Sequence, residues 1–246
     1  KTGFSLGTSF EQFDDIYFSP SISNYVETLK TSSTASEAKK KQKGNYFDSN
    51  FNYGLSLNKL NQNFQPSSGF KSRFSQVIPI YSDDYSLANK YELSRYFSPN
   101  DNAIISVKFL AHSINSLAGD DVRISKRVYL PTKRLKGFEP GKIGPKDGAD
   151  FIGGNYATAL NFATTLPGLL SNLENVDFGF FIDAGNVWGV DYDSSIDDSN
   201  KIRSSTGVAA SWLSPLGPMT FTLSQNLSKA DTDETESFNF NLGTTF

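Results

Sequence analysis

The sequence predicts an all-β, antiparallel transmembrane β-barrel of the outer-membrane type. Apolar and polar residues alternate along most of the chain, and long polar connections alternate with short turns. The 246 residues include 21 Phe and 11 Tyr, yet the mean hydropathy is negative. Only every second residue of a barrel strand faces lipid, so such a chain needs no long apolar run. A soluble β-sandwich is the alternative on composition alone.

Period-two alternation, interrupted by clusters of Gly, Pro, Asn, Asp and Ser, predicts about eleven strands. We expect them near residues 3–12, 16–30, 45–60, 69–80, 85–98, 102–116, 155–165, 176–188, 203–213, 218–228 and 236–246. A twelfth candidate, 121–130, is the weakest, and we interpret it as an extension into a long loop. A helical membrane protein would need about 18 consecutive apolar residues, and the sequence contains no such run.

The connections between these strands differ in length. Residues 31–44, 118–155 and 189–202 are long and polar, whereas 98–101 and 214–218 are short and contain Pro. Long loops outside the cell and short periplasmic turns are typical of outer-membrane barrels. We therefore treat residues 1–246 as a single domain with a long extracellular loop at about 118–154. The lysine-rich connection 31–44 is predicted to be a solvated loop tip.

Alternation also predicts which face of a strand meets lipid. In the last strand, which ends at the terminal residue, the predicted lipid-facing row is Phe238, Phe240, Leu242, Thr244 and Phe246. In the strand near residue 180, Phe181 and Asp183 share the face opposite Ile182. A charge facing lipid is destabilising by a few kcal/mol. We therefore expect Asp183 to point into the lumen.

Composition excludes several classes of function. The net charge of −3 gives no reason to expect a nucleic-acid partner, and the absence of Cys excludes disulfides and thiolate metal sites. A Ser-His-Asp hydrolase would have to use the sole His, His112, whose strand position is predicted to face the lumen. The pairs 14–15, 83–84 and 197–198 are Asp pairs that we interpret as solvated turn residues. We expect no enzyme activity, metal or cofactor.

Three stretches are more specific than alternation. They are residues 134–145 in the longest loop, 181–188, and 212–221, the last followed by a C-terminal Phe-x-Phe-x-Leu-Gly-Thr-Thr-Phe. Through these stretches the sequence resembles the BamA family of the bacterial β-barrel assembly machinery, over essentially the whole chain and most densely from residue 129 onward. The resemblance implies a barrel of which about 11 of 16 strands are present here.

The resemblance also assigns site residues. The family's lumenal loop tip corresponds to Leu135, Lys136, Gly137 and Phe138, and its barrel-wall partners correspond to Phe181, Asp183 and Gly185. Lys136 stands where the family usually has Arg, so a point charge replaces a planar fork. The resemblance implies that the long loop folds into the lumen, where Lys136 pairs with Asp183. Arg134 is a competing partner for the same carboxylate.

The C-terminal strand resembles the recognition signal of outer-membrane proteins. Its signal residues are Phe238, Phe240, Leu242, Gly243 and Phe246. By resemblance this strand is one half of a lateral gate, through which the protein folds and inserts other β-barrels into the bacterial outer membrane. Edge pairing by main-chain hydrogen bonds supplies the physical reason. The implied partners are unfolded outer-membrane proteins, accessory lipoproteins bound through POTRA domains, and the lipid bilayer.

The sequence is also compatible with two other functions. A translocation barrel of two-partner secretion, or of the TamA type, shares the loop-tip and wall motifs, and a passive porin would use charged residues in the lumen. An open sheet of eleven strands would expose two edges in lipid, which is very costly. We therefore expect the chain to be a fragment, with about five strands and the POTRA domains upstream of it.

Overall fold

The computed structural model describes residues 1–119, 121–170, 175–191, 196, 201–215 and 217–242. Its strands are β1 (Thr2–Gly7), β2 (Phe10–Phe13), β3 (Ile16–Leu29), β4 (Gly44–Asn58), β5 (Gly69–Ser82), β6 (Ser86–Asn100), β7 (Ala103–Ser116), β8 (Lys146–Asp147), β9 (Asp150–Phe151), β10 (Tyr156–Leu166), β11 (Val176–Trp188), β12 (Arg203–Ser214), β13 (Gly217–Ser228) and β14 (Phe238–Leu242). The helices are α1 (Glu37–Lys41) and two 3-10 turns, Ile124–Lys126 and Thr132–Arg134. Within these ranges no helix has the length and apolar character that a membrane span requires.

Twelve of the strands form one antiparallel sheet. Eleven follow the order β1-β3-β4-β5-β6-β7-β10-β11-β12-β13-β14, and β2 lies beside β1 on the same edge of β3. β1 and β2 together take the place of the predicted strand 3–12, so the predicted count of eleven is confirmed. The weak candidate 121–130 holds a 3-10 turn and a single bridge from Val128 to Gly154. Between described residues, β1 and β14 are not paired.

The two faces of the sheet differ as the alternation predicts. On β11, Phe180 and Ile182 are 59% and 54% exposed, whereas Phe181 and Asp183 are buried. We call the side of Asp183 the inner face and the other side the outer face. The outer face is a band of apolar side chains, and on its last two strands Phe221 and Phe240 lie with ring centroids 5.1 Å apart. An apolar outer band is what lipid contact requires.

The inner face is covered by the long connection between β7 and β10, residues 117–155, which we call the inner segment. It packs apolar side chains onto β7, β10 and β11. The buried cluster consists of Leu110, Ile114, Val122, Val128, Leu130, Leu135, Phe138, Ile143, Ala157, Ala159 and Val187. Burial of this cluster therefore holds the segment on the sheet.

The prediction that residues 31–44 form a solvated loop tip holds for three of its four lysines, which are exposed, but not for the whole segment. Residues 31–44 contain α1, whose Ala38 is buried, and the inner segment binds its start. Asp147 accepts a hydrogen bond from the Ala38 amide at 2.9 Å, and Asp150 accepts one from the Ser36 amide at 2.8 Å. The first amides of a helix lack partners, so carboxylates stabilise this end. Lys39 also hydrogen-bonds Asp150, and these two donors lower the pKa of the Asp150 carboxyl.

Candidate functional site

The inner segment makes a tight turn at Gly137, close to β12 and β13. The φ angle of Gly137 is +89°, which L side chains rarely adopt. A Cβ atom there would also lie 3.2 Å from Cβ of Ser205 and 3.3 Å from Nδ2 of Asn226. Glycine is therefore needed both for the turn and for the close approach to the sheet.

Lys136 contacts the wall of the sheet just before this turn. Its Nζ atom lies 2.7 Å from Oδ2 of Asp183 and 4.2 Å from the centroid of the Phe181 ring. The Lys136 backbone amide donates a further hydrogen bond to the same Oδ2 at 3.1 Å. Asp183 is fully buried, so its charge is balanced only by groups that contact it directly. The ring of Phe181 offers the ammonium a cation–π contact.

The neighbouring strands bind the backbone of the tip. On β10, Asn161 Nδ2 donates to the Arg134 carbonyl and to Oδ1 of Asp183, both at 2.8 Å. On β12, the Ser205 hydroxyl donates to the Lys136 carbonyl. On β13, Asn226 Nδ2 donates to the Gly137 carbonyl at 2.8 Å. None of these three wall residues is predicted from the sequence, because their only signal is a polar side chain on the inner face.

Arg134 does not take the place of Lys136. Its guanidinium forms an ion pair with Glu92 on β6, with Nη2 3.1 Å from Oε1. The two cations of the tip thus bind carboxylates on different strands, Arg134 on β6 and Lys136 on β11. Arg134 and Lys136 therefore do not compete for the Asp183 carboxylate.

The other assigned residues lie around the tip or along the rest of the inner segment. Phe138 is buried and forms a β-bridge with Thr235. Leu135 is buried in the apolar cluster. Gly185 makes room for a different part of the segment, since a Cβ there would lie 3.0 Å from Cδ1 of Leu130. Phe181 lies over Gly207, where an added Cβ would come within 2.7 Å of its ring.

The connection between β13 and β14 also binds the tip. The Glu236 amide donates to the Gly137 carbonyl at 3.2 Å, and the Glu139 amide donates to the Glu234 carbonyl at 3.1 Å. Arg203 on β12 holds the same connection through two 3.0 Å hydrogen bonds to the buried Asp233 carboxylate. The tip is therefore joined to the last hairpin of the sheet as well as to its wall.

The residues assigned to the C-terminal signal lie apart from the tip. Phe238, Phe240 and Leu242 are on the outer face and about half exposed. Gly243 and Phe246 lie outside the described residues. The last strand is thus linked to the tip by the connection that precedes it and not by its own signal side chains.

A second set of charges fastens the start of the inner segment to β3 and β4. Arg123 is 1% exposed and hydrogen-bonds Asp48, with further ion pairs to Asp84 at 3.1 Å and Glu27 at 3.5 Å. Its guanidinium carbon lies 4.3 Å from the centroid of the Tyr46 ring. We call Arg123, Lys126, Glu27, Asp48 and Asp84 the anchor cluster.

Lys126 completes the anchor cluster. Its Nζ lies 2.8 Å from Asp48 and 2.6 Å from Asp84. The interpretation of residues 83–84 as solvated turn residues is therefore wrong for Asp84, which pairs with two cations. No pattern in the sequence predicts this cluster, because its members lie on four separate stretches of chain. In the described part of the chain no group of three metal-ligating side chains is present, and the expectation of a protein without enzyme activity stays a prediction.

Comparisons with known proteins agree on one family. A family model described as the Omp85 superfamily domain matches residues 2–246. The outer membrane protein assembly factor BamA of Neorickettsia risticii (strain Illinois) is 28% identical over 217 residues, which are 86% of this chain and 29% of that protein. BamA of Neisseria meningitidis serogroup B is 33% identical over 140 residues, 46% of this chain and 17% of that protein. The human sorting and assembly machinery component 50 homolog is 26% identical over 170 residues, 65% and 36% of the two chains.

The fold has a solved counterpart. The crystal structure of BamA from Haemophilus ducreyi lacking POTRA domains 1–3 superposes with a TM-score of 0.86 at 23% sequence identity. The match covers 97% of this chain and 53% of that one. The likeness confirms the predicted fold class, an outer-membrane-type β-barrel of which this chain holds a part. The chain spans 29% of the Neorickettsia protein and about half of the solved one.

Proposed function

The chain belongs to the Omp85 superfamily, and from this premise we propose that it works as part of an outer-membrane assembly factor, which folds β-barrel proteins and inserts them into the bacterial outer membrane. The observation that carries the proposal is the double attachment of the tip. Lys136 binds the wall carboxylate Asp183, and Gly137 binds the connection to the last hairpin. The proposed activity is taken from relatives that are named assembly factors.

The mechanism uses the edge of β14. Between described residues, β14 pairs on one side only, with β13. The main-chain groups of its other edge are available to a client strand, and the apolar outer row sets the register of the new pair. Burial of client side chains in lipid and main-chain hydrogen bonding drive insertion, so no nucleotide, metal or other cofactor takes part. The inner segment keeps the hairpin in place between clients.

The partners follow from the same proposal. Clients are unfolded outer-membrane proteins that arrive from the periplasm, and the outer apolar band contacts the lipid bilayer. Accessory lipoproteins bind through POTRA domains of the full-length protein. The protein is not an enzyme in this proposal, because it breaks and forms no covalent bond.

The test is insertion of a client barrel by the full-length protein in lipid vesicles. We expect Asp183→Asn to slow the appearance of the heat-modifiable client band, and Asp101→Asn, in the exposed turn between β6 and β7, to leave it unchanged. A folded wild-type protein that inserts no client would refute the proposed function. A fully active Asp183→Asn protein would refute the role of the tip.

A translocation barrel of the two-partner-secretion or TamA type is the second candidate, because the same tip and wall residues serve it. A passive porin is a weaker one, since the inner segment packs over the inner face. Conductance of the full-length protein in planar bilayers distinguishes a porin from a plugged barrel. A porin conducts steadily with the tip in place, whereas a plugged barrel conducts after residues 134–138 are deleted.

A further inference from the structure

Two adjoining cavities lie on the inner face, beside the tip and toward the end of the sheet where β14 ends. Their volumes are about 370 and 290 Å³. Lys108, Lys133, Pro66 and Tyr96 line both of them, so we treat them as one chamber. The larger volume is in the range of a ligand-binding pocket, and the smaller lies just below that range.

The chamber carries an excess of positive charge. Its cations are Lys71, Lys108, Lys133, Arg134 and Lys136. Arg134 and Lys136 are neutralised by Glu92 and Asp183. Lys71, Lys108 and Lys133 form no ion pair with any residue in the described ranges. The remaining carboxylate, Asp177, lies at the lining of the larger cavity and accepts a hydrogen bond from Gln65 at 3.5 Å. Three cations therefore face one anion.

Lys108 is the centre of this excess. It projects from β7 onto the inner face, and its Nζ lies 5.7 Å from the centroid of the Tyr96 ring. The ring holds the ammonium in place without neutralising it. An ammonium in a partly enclosed site is stabilised when an anion binds beside it. The Lys108 ammonium is therefore available to bind an anion in the chamber, because no carboxylate in the described part of the chain pairs with it.

The rest of the lining fits a peptide end. Asn239 and Asn241 of β14 and Thr222 of β13 supply donors and acceptors for main-chain groups, and Phe178 and Ile104 supply apolar surface. The connection 59–68 and the residue Pro167, which also border the chamber, lie at the end of the sheet where β14 ends. In the proposed function this end faces the periplasm, from which clients arrive.

We infer that the chamber binds the terminal α-carboxylate of a client polypeptide, with Lys108 as its principal cation and Lys71 and Lys133 as supporting ones. The inference rests on the proposed function, because an assembly factor meets unfolded chains whose C-termini are free. Captured in this way, the end of a client strand would lie next to the inner face of β14, on whose edge the strand is to be added.

The test uses the full-length protein in detergent micelles and two labelled peptides with the sequence of residues 237–246, one a free acid and one a C-terminal amide. Fluorescence anisotropy measures both affinities. We expect the acid to bind about tenfold more tightly than the amide, because a hydrogen-bonded ion pair is lost in the amide. Lys108→Gln should abolish this difference, and Lys30→Gln, an exposed lysine after β3, should preserve it.

Equal binding of acid and amide to the wild type would overturn the inference, and so would an unchanged preference in Lys108→Gln. Displacement of the acid by millimolar inorganic phosphate would also overturn it, since the chamber would then be a general anion site. Client insertion is measured on the same preparations. Insertion without a preference for the acid refutes the chamber alone, whereas a preference without insertion supports the chamber and refutes the proposed function.

Discussion

Removal of the Asp183 carboxylate should release the tip of the inner segment. The carboxylate accepts three hydrogen bonds, from Lys136 Nζ, the Lys136 amide and Asn161 Nδ2. Loss of one partner of a buried ion pair costs about 3–5 kcal/mol. The Lys136 side chain keeps 19% exposure, so water relieves part of this cost, and about 3 kcal/mol is the reasonable figure for Asp183→Ala.

Limited trypsin digestion of the full-length protein measures the effect. Trypsin cuts after Arg134 and Lys136, whose side chains are buried or half-buried while the tip is bound to the wall. If opening is fast relative to cleavage, the cleavage rate follows the open population, and about 3 kcal/mol corresponds to an increase of roughly 100-fold. Asp183→Asn, which keeps the shape of the side chain, should give a smaller increase.

The ion pair between Lys142 and Glu234 provides a matched control. It also joins the inner segment to the sheet, but its side chains are 41% and 39% exposed. Exposed pairs contribute about 0–1 kcal/mol, so Glu234→Ala should raise the cleavage rate by no more than about fivefold. A barrel that stays heat-modifiable and shows equal cleavage rates in wild type and Asp183→Ala would refute the reasoning.

Three further predictions concern other contacts of the inner segment. Gly137→Ala should weaken tip docking by about 1–2 kcal/mol, because φ is +89° and the new methyl group meets Ser205; trypsin cleavage after Lys136 measures it. Arg123→Met should weaken the attachment of the start of the inner segment by about 3–5 kcal/mol, because the carboxylates of Asp48 and Glu27 stay buried. Hydrogen exchange of residues 122–128 measures this weakening. Acid should free the start of α1. The lowered pKa of the Asp150 carboxyl stabilises the folded state above the unfolded pKa of 3.8, and this stabilisation is lost as pH falls through the folded pKa. Hydrogen exchange of the Ser36 amide, measured across this pH range, reports the loss.

Each of these has its own control. Gly119→Ala adds a methyl group at another positive-φ glycine where nothing lies within 4 Å, so it separates backbone strain from the clash at Gly137. Lys43→Met, at an exposed lysine before β4, is the counterpart of Arg123→Met. Asp150→Asn should remove the pH dependence at Ser36. Wild-type exchange in Arg123→Met, or pH dependence that persists in Asp150→Asn, would contradict the respective explanation.

The strands could be predicted because each one carries its own signal. Alternation on β11 puts Ile182 outside and Asp183 inside, and no knowledge of the neighbouring strands is needed. The fold of the inner segment could not be predicted in this way. Its contacts, such as Ser36 with Asp150, join residues more than a hundred positions apart, and no local periodicity records them.

The site was predictable only where a motif marks it. Lys136 and Asp183 were found through a resemblance, not through any property that distinguishes them from other charged residues. Asn161, Ser205 and Asn226 bind the tip backbone, and a hydrogen bond to a main-chain carbonyl needs only some polar donor at the right place. Such positions carry no fixed residue type and leave no pattern in a single sequence.

The two attachments of the inner segment have different consequences for movement. The anchor cluster fixes the segment to β3 and β4 through buried charges, whereas the tip binds β11, β12 and the connection before β14. A shift of the last hairpin must break the tip's contacts with β13 and with the connection before β14, together with the pair of Arg203 and Asp233, but it leaves the anchor cluster intact. The segment can therefore stay on the first strands while the last ones move. A gate at β14 would open against the tip, and the free energy of the hydrogen bonds from Asn226 and Glu236 to the Gly137 carbonyl would set part of its opening equilibrium.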